Sequence, residues 1–216
     1  MTIFFILEFS LFIFYFKYNL ILPKLIAMNS KILNNIAIAL VLITLAVITR
    51  LSAIENQLPN FTAVGSVLLF STFYFKNSKL NFLLPIAIMF ISDLFLLSFF
   101  GVNSQSTGNY LAFLVYVIMS SHFIKKIKIK NVALAGVSGA TLFFLISNFL
   151  VWLNTGIAEG DYSLTLGGLF HCYAKGFSPW YTNQLMADLV WSAIIFGVYE
   201  LSIYSIKNLS LNRKNY

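Results

Sequence analysis

Asp93 is the only formal charge in residues 82–100 (FLLPIAIMFISDLFLLSFF), a run about as long as the roughly 20 residues that cross a bilayer. A carboxylate there costs about 2.5–3.5 kcal/mol on insertion scales unless a partner or water reaches it. Its chemistry is then one of two kinds: it holds helices together, or it meets a polar ligand. Arg50 is the expected partner, because it is the one cation at the same predicted depth and its long side chain can reach inward from a helix end. Asn148, Trp152 and Asp188 are the other polar or amphipathic side chains set into apolar runs near that depth.

These residues need an apolar scaffold, and the composition supplies one. The 216 residues are 59% hydrophobic and 17% aromatic but only 10% charged, against about a quarter charged in a soluble domain. The chain reads as an all-α integral membrane protein. Its net charge of +7 falls in short clusters between apolar runs, the pattern of loops set by the positive-inside rule. A nucleic-acid partner, which would want a basic stripe, is not expected. The single cysteine, Cys172, excludes an internal disulfide and a paired-cysteine zinc site.

Six spans are predicted, at 32–50, 61–75, 81–100, 109–124, 131–153 and 185–206. Every second connection is basic: Lys76 and Lys79 between spans two and three, Lys125 to Lys130 between four and five, and Lys207, Arg213 and Lys214 after six. Both termini are therefore expected in the cytoplasm, with the chain in the cytoplasmic membrane. Residues 1–27 form either an extra hydrophobic N-terminal segment or an artefact of a start that belongs at Met28; residues 28–216 form one six-helix transmembrane domain. The first stretch lacks a basic leading region and a small-residue cleavage site, so a secretory signal is not expected.

Topology then gives the polar residues a common depth. Arg50 ends the first span, with Glu55 and Asn60 in the loop after it, and Asp93 lies seven residues before Phe100, roughly 10 Å below the boundary at 1.5 Å per residue. Asn148 and Trp152 fall in the same third of span five, and Asp188 in the first turn of span six. Polar groups in a bundle face its interior or a wet cavity, which points to a pocket opening outward. Thr141, Asn148 and Trp152 share one helical face, as do Thr62, Ser66 and Phe73. Such residues also serve as packing glue between helices, and that alternative stays open. The loop segment 167–180 (GGLFHCYAKGFSPW) is either a short interfacial helix anchored by Tyr173, Phe177 and Trp180, or a lid that brings His171, Cys172 or Tyr173 to a ligand.

Catalytic motifs do not survive inspection. Gly136-Val137-Ser138-Gly139 matches the G-x-S-G of rhomboid proteases, but that chemistry needs a histidine on a later helix to take the serine proton. His122 and His171 do not meet that need, and Gly136, Gly139 and Ala140 read instead as a surface for close helix packing. No enzyme, cofactor or metal site is expected.

In order along the chain stand Leu58-Pro59-Asn60-Phe61-Thr62-Ala63-Val64-Gly65, Ser92-Asp93-Leu94, Ser147-Asn148-Phe149-Leu150-Val151-Trp152 and Gly168-Leu169-Phe170-His171-Cys172-Tyr173. This ordered set resembles an uncharacterised family of multispan membrane proteins, a domain of unknown function, over about residues 30–205. More distantly, size and topology are similar to the substrate-binding S components of energy-coupling factor vitamin transporters. That likeness implies a bundle open to the outside, an uptake role and a partner energising module. The Ala-x-x-x-Ala docking motif of those proteins is not clear here, with only Ala37 and Ala39 nearby. The expected function is binding of a small solute at Arg50, Asn60, Asp93, Asn148, Trp152, His171, Tyr173 and Asp188. The competing expectation is a structural or assembly membrane protein whose polar residues serve helix packing.

Overall fold

A computed structural model describes residues 30–76, 80–101, 107–157 and 162–212. The described residues form α1 (Ser30–Glu55), α2 (Val64–Tyr74), α3 (Leu80–Phe100), α4 (Thr107–Phe123), α5 (Ile129–Ile157), α6 (Leu166–Gly176) and α7 (Thr182–Asn212), and contain no strand. A π turn at Phe177–Tyr181 joins α6 to α7, with Ser178 in extended conformation inside it. The expected segment 1–27 lies outside the described residues. The chain divides into two compact units. Of Met1–Leu42 the described part is the first half of α1, and Ile43–Tyr216 holds all the contacts considered below.

Helices stand at all six predicted spans, but their ends differ: α1, α5 and α7 run longer than expected, whereas α2 is shorter than the predicted 61–75, and α2 and α4 fall short of the length that crosses a membrane. α1 runs past Arg50 to Glu55, so Arg50 sits within a helix and not at its last residue. α7 begins at Thr182, which moves Asp188 from the first turn to the second. The loop 167–180 contains the short helix that was one of its two expected forms. Its start is set by Thr165, whose backbone is extended and whose hydroxyl oxygen accepts the Gly168 N–H at 3.1 Å, an N-cap.

Four helical stretches are long and apolar enough to cross a membrane: Ile32–Glu55, Leu83–Phe100, Ile129–Thr155 and Leu166–Lys207. The face of α3 shows why lipid is the solvent. Leu83, Ile86, Phe90, Leu94 and Leu97 recur at helical spacing and are all exposed, while Leu84, Ile88, Ser92, Asp93 and Leu96 are buried. A water-facing helix would carry its polar residues outside; here the polar pair is inside and the outer stripe is hydrocarbon. This is a multi-pass membrane protein.

At the centre stands α2, in which every residue from Val64 to Thr72 is buried. It packs against α3, α4, α5 and α7. Because all its sides are covered, it has no polar face, and hydroxyl groups tie it to two of the helices around it. Ser66 Oγ donates to the Asp188 carbonyl at 2.9 Å, and Ser120 of α4 donates to the Leu69 carbonyl at 2.6 Å. The loop before α2 turns through left-handed residues Gln57 (φ 54°) and Asn60 (φ 61°), and asparagine tolerates that region better than most side chains. Ala63, at the N-cap, has no capping side chain of its own. Its N–H donates instead to Thr49 Oγ1 on α1 at 3.0 Å, which satisfies a backbone donor that would otherwise be orphaned in an apolar interior.

Candidate functional site

The Asp93 carboxylate is fully buried and each of its oxygens is claimed. Arg50 Nη1 lies 2.6 Å from Oδ1, with side-chain exposures of 13% and 0% for the two residues. The Tyr110 hydroxyl donates to Oδ2 at 2.7 Å. The same arginine nitrogen donates to Ser92 Oγ, which in turn donates to the Met89 carbonyl at 2.9 Å. Thus α1, α3 and the first turns of α4 are tied by one charge-assisted network. A buried pair compensates its desolvation only when its remaining lone pairs and protons are also met; Tyr110 donates to the carboxylate, and Ser92 accepts from the guanidinium. Arg50 was expected as the partner of Asp93; Ser92 and Tyr110 were not expected in that role.

A second buried carboxylate, Asp188, is met differently. Its side chain is wholly inside, and Tyr116 donates to Oδ2 at 2.5 Å. Gln184, one turn earlier on α7, places Nε2 3.0 Å from the Tyr116 hydroxyl and 3.4 Å from the same Oδ2. Both donors therefore serve one oxygen, and Oδ1 has no hydrogen-bond partner. Among the described residues no cation pairs with it. The site is built by close approach. A methyl group added at Gly65 would lie 2.2 Å from Oδ1, and one at Gly139 would lie 2.7 Å from the Tyr116 ring. Glycine at these two places lets α2 and α5 close on the phenol and the carboxylate. Ser192 adds a bond to Ser66 Oγ at 3.0 Å, holding α7 to α2 beside the cluster.

The third polar group binds α6 to α5. Tyr173 donates to the Leu145 carbonyl at 2.9 Å, and Trp152 Nε1 donates to the Ser163 carbonyl at 2.9 Å. Thr141 Oγ1 and the Tyr181 hydroxyl are 3.0 Å apart. The Cys172 thiol points to the Asn148 carbonyl at 3.4 Å, and Asn148 Nδ2 donates to the Phe144 carbonyl at 2.9 Å. Gly176 packs so tightly that a Cβ there would stand 2.2 Å from Asn148 Oδ1. The shared face of Thr141, Asn148 and Trp152 is thus the surface on which α6 and the π turn lie.

A model of a protein family matches residues 30–209. The chain belongs to the family of unknown function DUF6580. Neither a curated protein nor a solved structure matches it. In this DUF6580 chain, then, geometry is what sorts the expected site residues. Arg50 and Asp93 come together as a pair, and Asn148, Trp152 and Tyr173 come together at the α5–α6 contact. Asn60 serves the turn before α2, its carbonyl accepting from Thr62 at 2.9 Å. His171 is exposed, its ring 5.8 Å from that of Tyr162. Asp188 sits among Tyr116, Gln184, Gly65 and Ser66. Of these, Ser66 was legible from the polar face of its helix. Tyr116 gave no signal beyond an aromatic in an apolar run.

Proposed function

We propose that this DUF6580 chain is a six-span protein of the cytoplasmic membrane, both termini inside, that binds a small polar solute from the outer side and serves its uptake without catalysing a reaction. The observation that supports this reading is Asp188. Among the described residues it is a fully buried carboxylate with no cation beside it and one oxygen without a hydrogen-bond partner, a costly arrangement in an apolar bundle. An amine, another strong hydrogen-bond donor or a small cation is the class of solute that would offset that cost. Gly65, pressed against Oδ1, is the element that would have to give way for such a solute to enter. The Arg50–Asp93 pair forms a fixed wall of the same end. Coupling to an energising module, as in S components, belongs to this proposal.

A second reading, a structural or assembly membrane protein, is favoured by the α5–α6 contact, where Asn148, Trp152 and Tyr173 are all committed to packing. One experiment separates the two. Detergent-purified wild type and Asp188→Asn are compared by native mass spectrometry for a co-purifying small molecule, and by thermal unfolding across a panel of small amines and inorganic cations. Uptake predicts a bound or stabilising solute in wild type that the variant loses. A variant that keeps every thermal response of wild type supports the structural reading. Asp93→Asn is the companion: lowered stability with solute binding intact removes Asp93 from the site.

A further inference from the structure

At the opposite end of α2 from Asp188 lies a cavity of about 300 Å³ between the last turns of α2 and α4, at the small end of the ~300–1,000 Å³ range of small-molecule sites. Among the described residues lining it, Lys76 and Lys125 are cationic, Thr72, Ser120 and Ser121 are hydroxylic, and none is acidic. The donors differ in what they have left to give. Ser120 has already committed its proton to the Leu69 carbonyl at 2.6 Å. Thr72 is 1% exposed, and its Oγ1 has no hydrogen-bond partner. A buried hydroxyl without a partner costs stability unless a ligand meets it. Lys76 rests over the Phe73 ring, its nitrogen 5.6 Å from the centroid, with Ser121 and Lys125 exposed.

We propose that this cavity binds a phosphate group. Two ammonium groups, the Thr72 hydroxyl and the Ser121 hydroxyl supply four donors, which suit a group presenting several acceptor oxygens and repel a cation. The lysines fall at the helix ends where the positive-inside pattern sets the cytoplasmic leaflet, and basic pockets between helices at that level take anionic headgroups. A headgroup phosphate and free inorganic phosphate offer the same chemistry, and the experiment tells them apart.

The full chain, purified in an uncharged detergent, is titrated with phosphatidylglycerol, with phosphatidylcholine of the same acyl chains, and with inorganic phosphate at constant ionic strength. Native mass spectrometry counts retained lipid, and thermal unfolding reads protection. Retention of phosphatidylglycerol over phosphatidylcholine is expected, weakened about thirtyfold in the Lys76→Gln/Lys125→Gln double variant. Thr72→Val is expected to weaken it about fivefold; because Oγ1 has no hydrogen-bond partner among the described residues, this variant is expected to keep its fold. Lysine-dependent protection by inorganic phosphate, with no preference between the lipids, supports the same site with a soluble source. The exposed pair Lys128 and Lys130, which do not line the cavity, is the control. Equal loss in Lys128→Gln/Lys130→Gln overturns the proposal, as does an unchanged affinity in both cavity variants.

Discussion

Asp93 and Asp188 are both buried carboxylates, but the protein treats them in opposite ways. Asp93 has a guanidinium on one oxygen and a phenol on the other. Asp188 has a phenol and an amide on one oxygen and nothing on the other. On the proposed reading, the difference separates a brace from a binding site. A brace is finished when its last lone pair is filled, whereas an oxygen left empty in an apolar interior holds free energy that a ligand can release. The two sites also differ in access. Arg50 retains 13% exposure, while the Asp188 side chain lies wholly behind Gly65 and Tyr116.

The sharpest way to break this contrast is Arg50→Ala. It orphans the Asp93 carboxylate and should cost about 3–5 kcal/mol, read as a fall in the thermal or denaturant midpoint in detergent. Adding Asp93→Asn should recover much of that loss, because no buried charge remains; failure to recover would mean that Arg50 stabilises the fold by packing alone. Next comes Gly65→Ala, whose Cβ would meet Asp188 Oδ1 at 2.2 Å. A loss of about 1–3 kcal/mol is expected from that overlap, measured in the same assay, and an unchanged midpoint would show that α2 can retreat freely.

The single Asn replacements test the contrast most directly. Asp93→Asn should cost about 1–3 kcal/mol by weakening a charge-assisted network. Asp188→Asn should stay within about 1 kcal/mol of wild type, since one oxygen of the carboxyl group it replaces has no partner to lose. Equal costs would erase the distinction between the two. At the small end, Trp152→Phe keeps the ring and removes the bond to Ser163. About 1 kcal/mol is expected, with faster hydrogen exchange confined to 162–168, and no change in exchange would mean that Trp152 does not hold the segment.

The sequence was most informative where one residue had one possible partner. Arg50 was the single cation at the depth of Asp93, and the pair formed. The face of Thr141, Asn148 and Trp152 was equally legible from spacing, but not what covers it, because α6 is held by backbone carbonyls of Leu145, Asn148 and Ser163 that carry no residue signature. The Asp188 surroundings were hidden for a related reason. Tyr116 is an aromatic in an apolar helix until folding sets it against α7, and Gln184 lay just outside the predicted span. Helix ends were misjudged where the cap is tertiary. The N–H of Ala63 is met by Thr49 of another helix, and Arg50 resembled a helix stop although α1 continues to Glu55.

The buried helix α2 bears on how the protein is made. With 11 residues it is about 16 Å long, half the roughly 30 Å hydrocarbon core. A segment so short is a poor substrate for independent insertion, and the irregular backbone leading into it at Asn60–Ala63 is stable at that depth only when protein covers it. In a bundle that spans a bilayer, α2 is therefore expected to enter alongside its neighbours rather than ahead of them. The Thr49 hydroxyl of α1, which accepts the Ala63 amide, is one such covering group. For such a chain, assembly order matters to biogenesis as much as hydrophobicity, because the protein around α2 is the solvent that α2 requires.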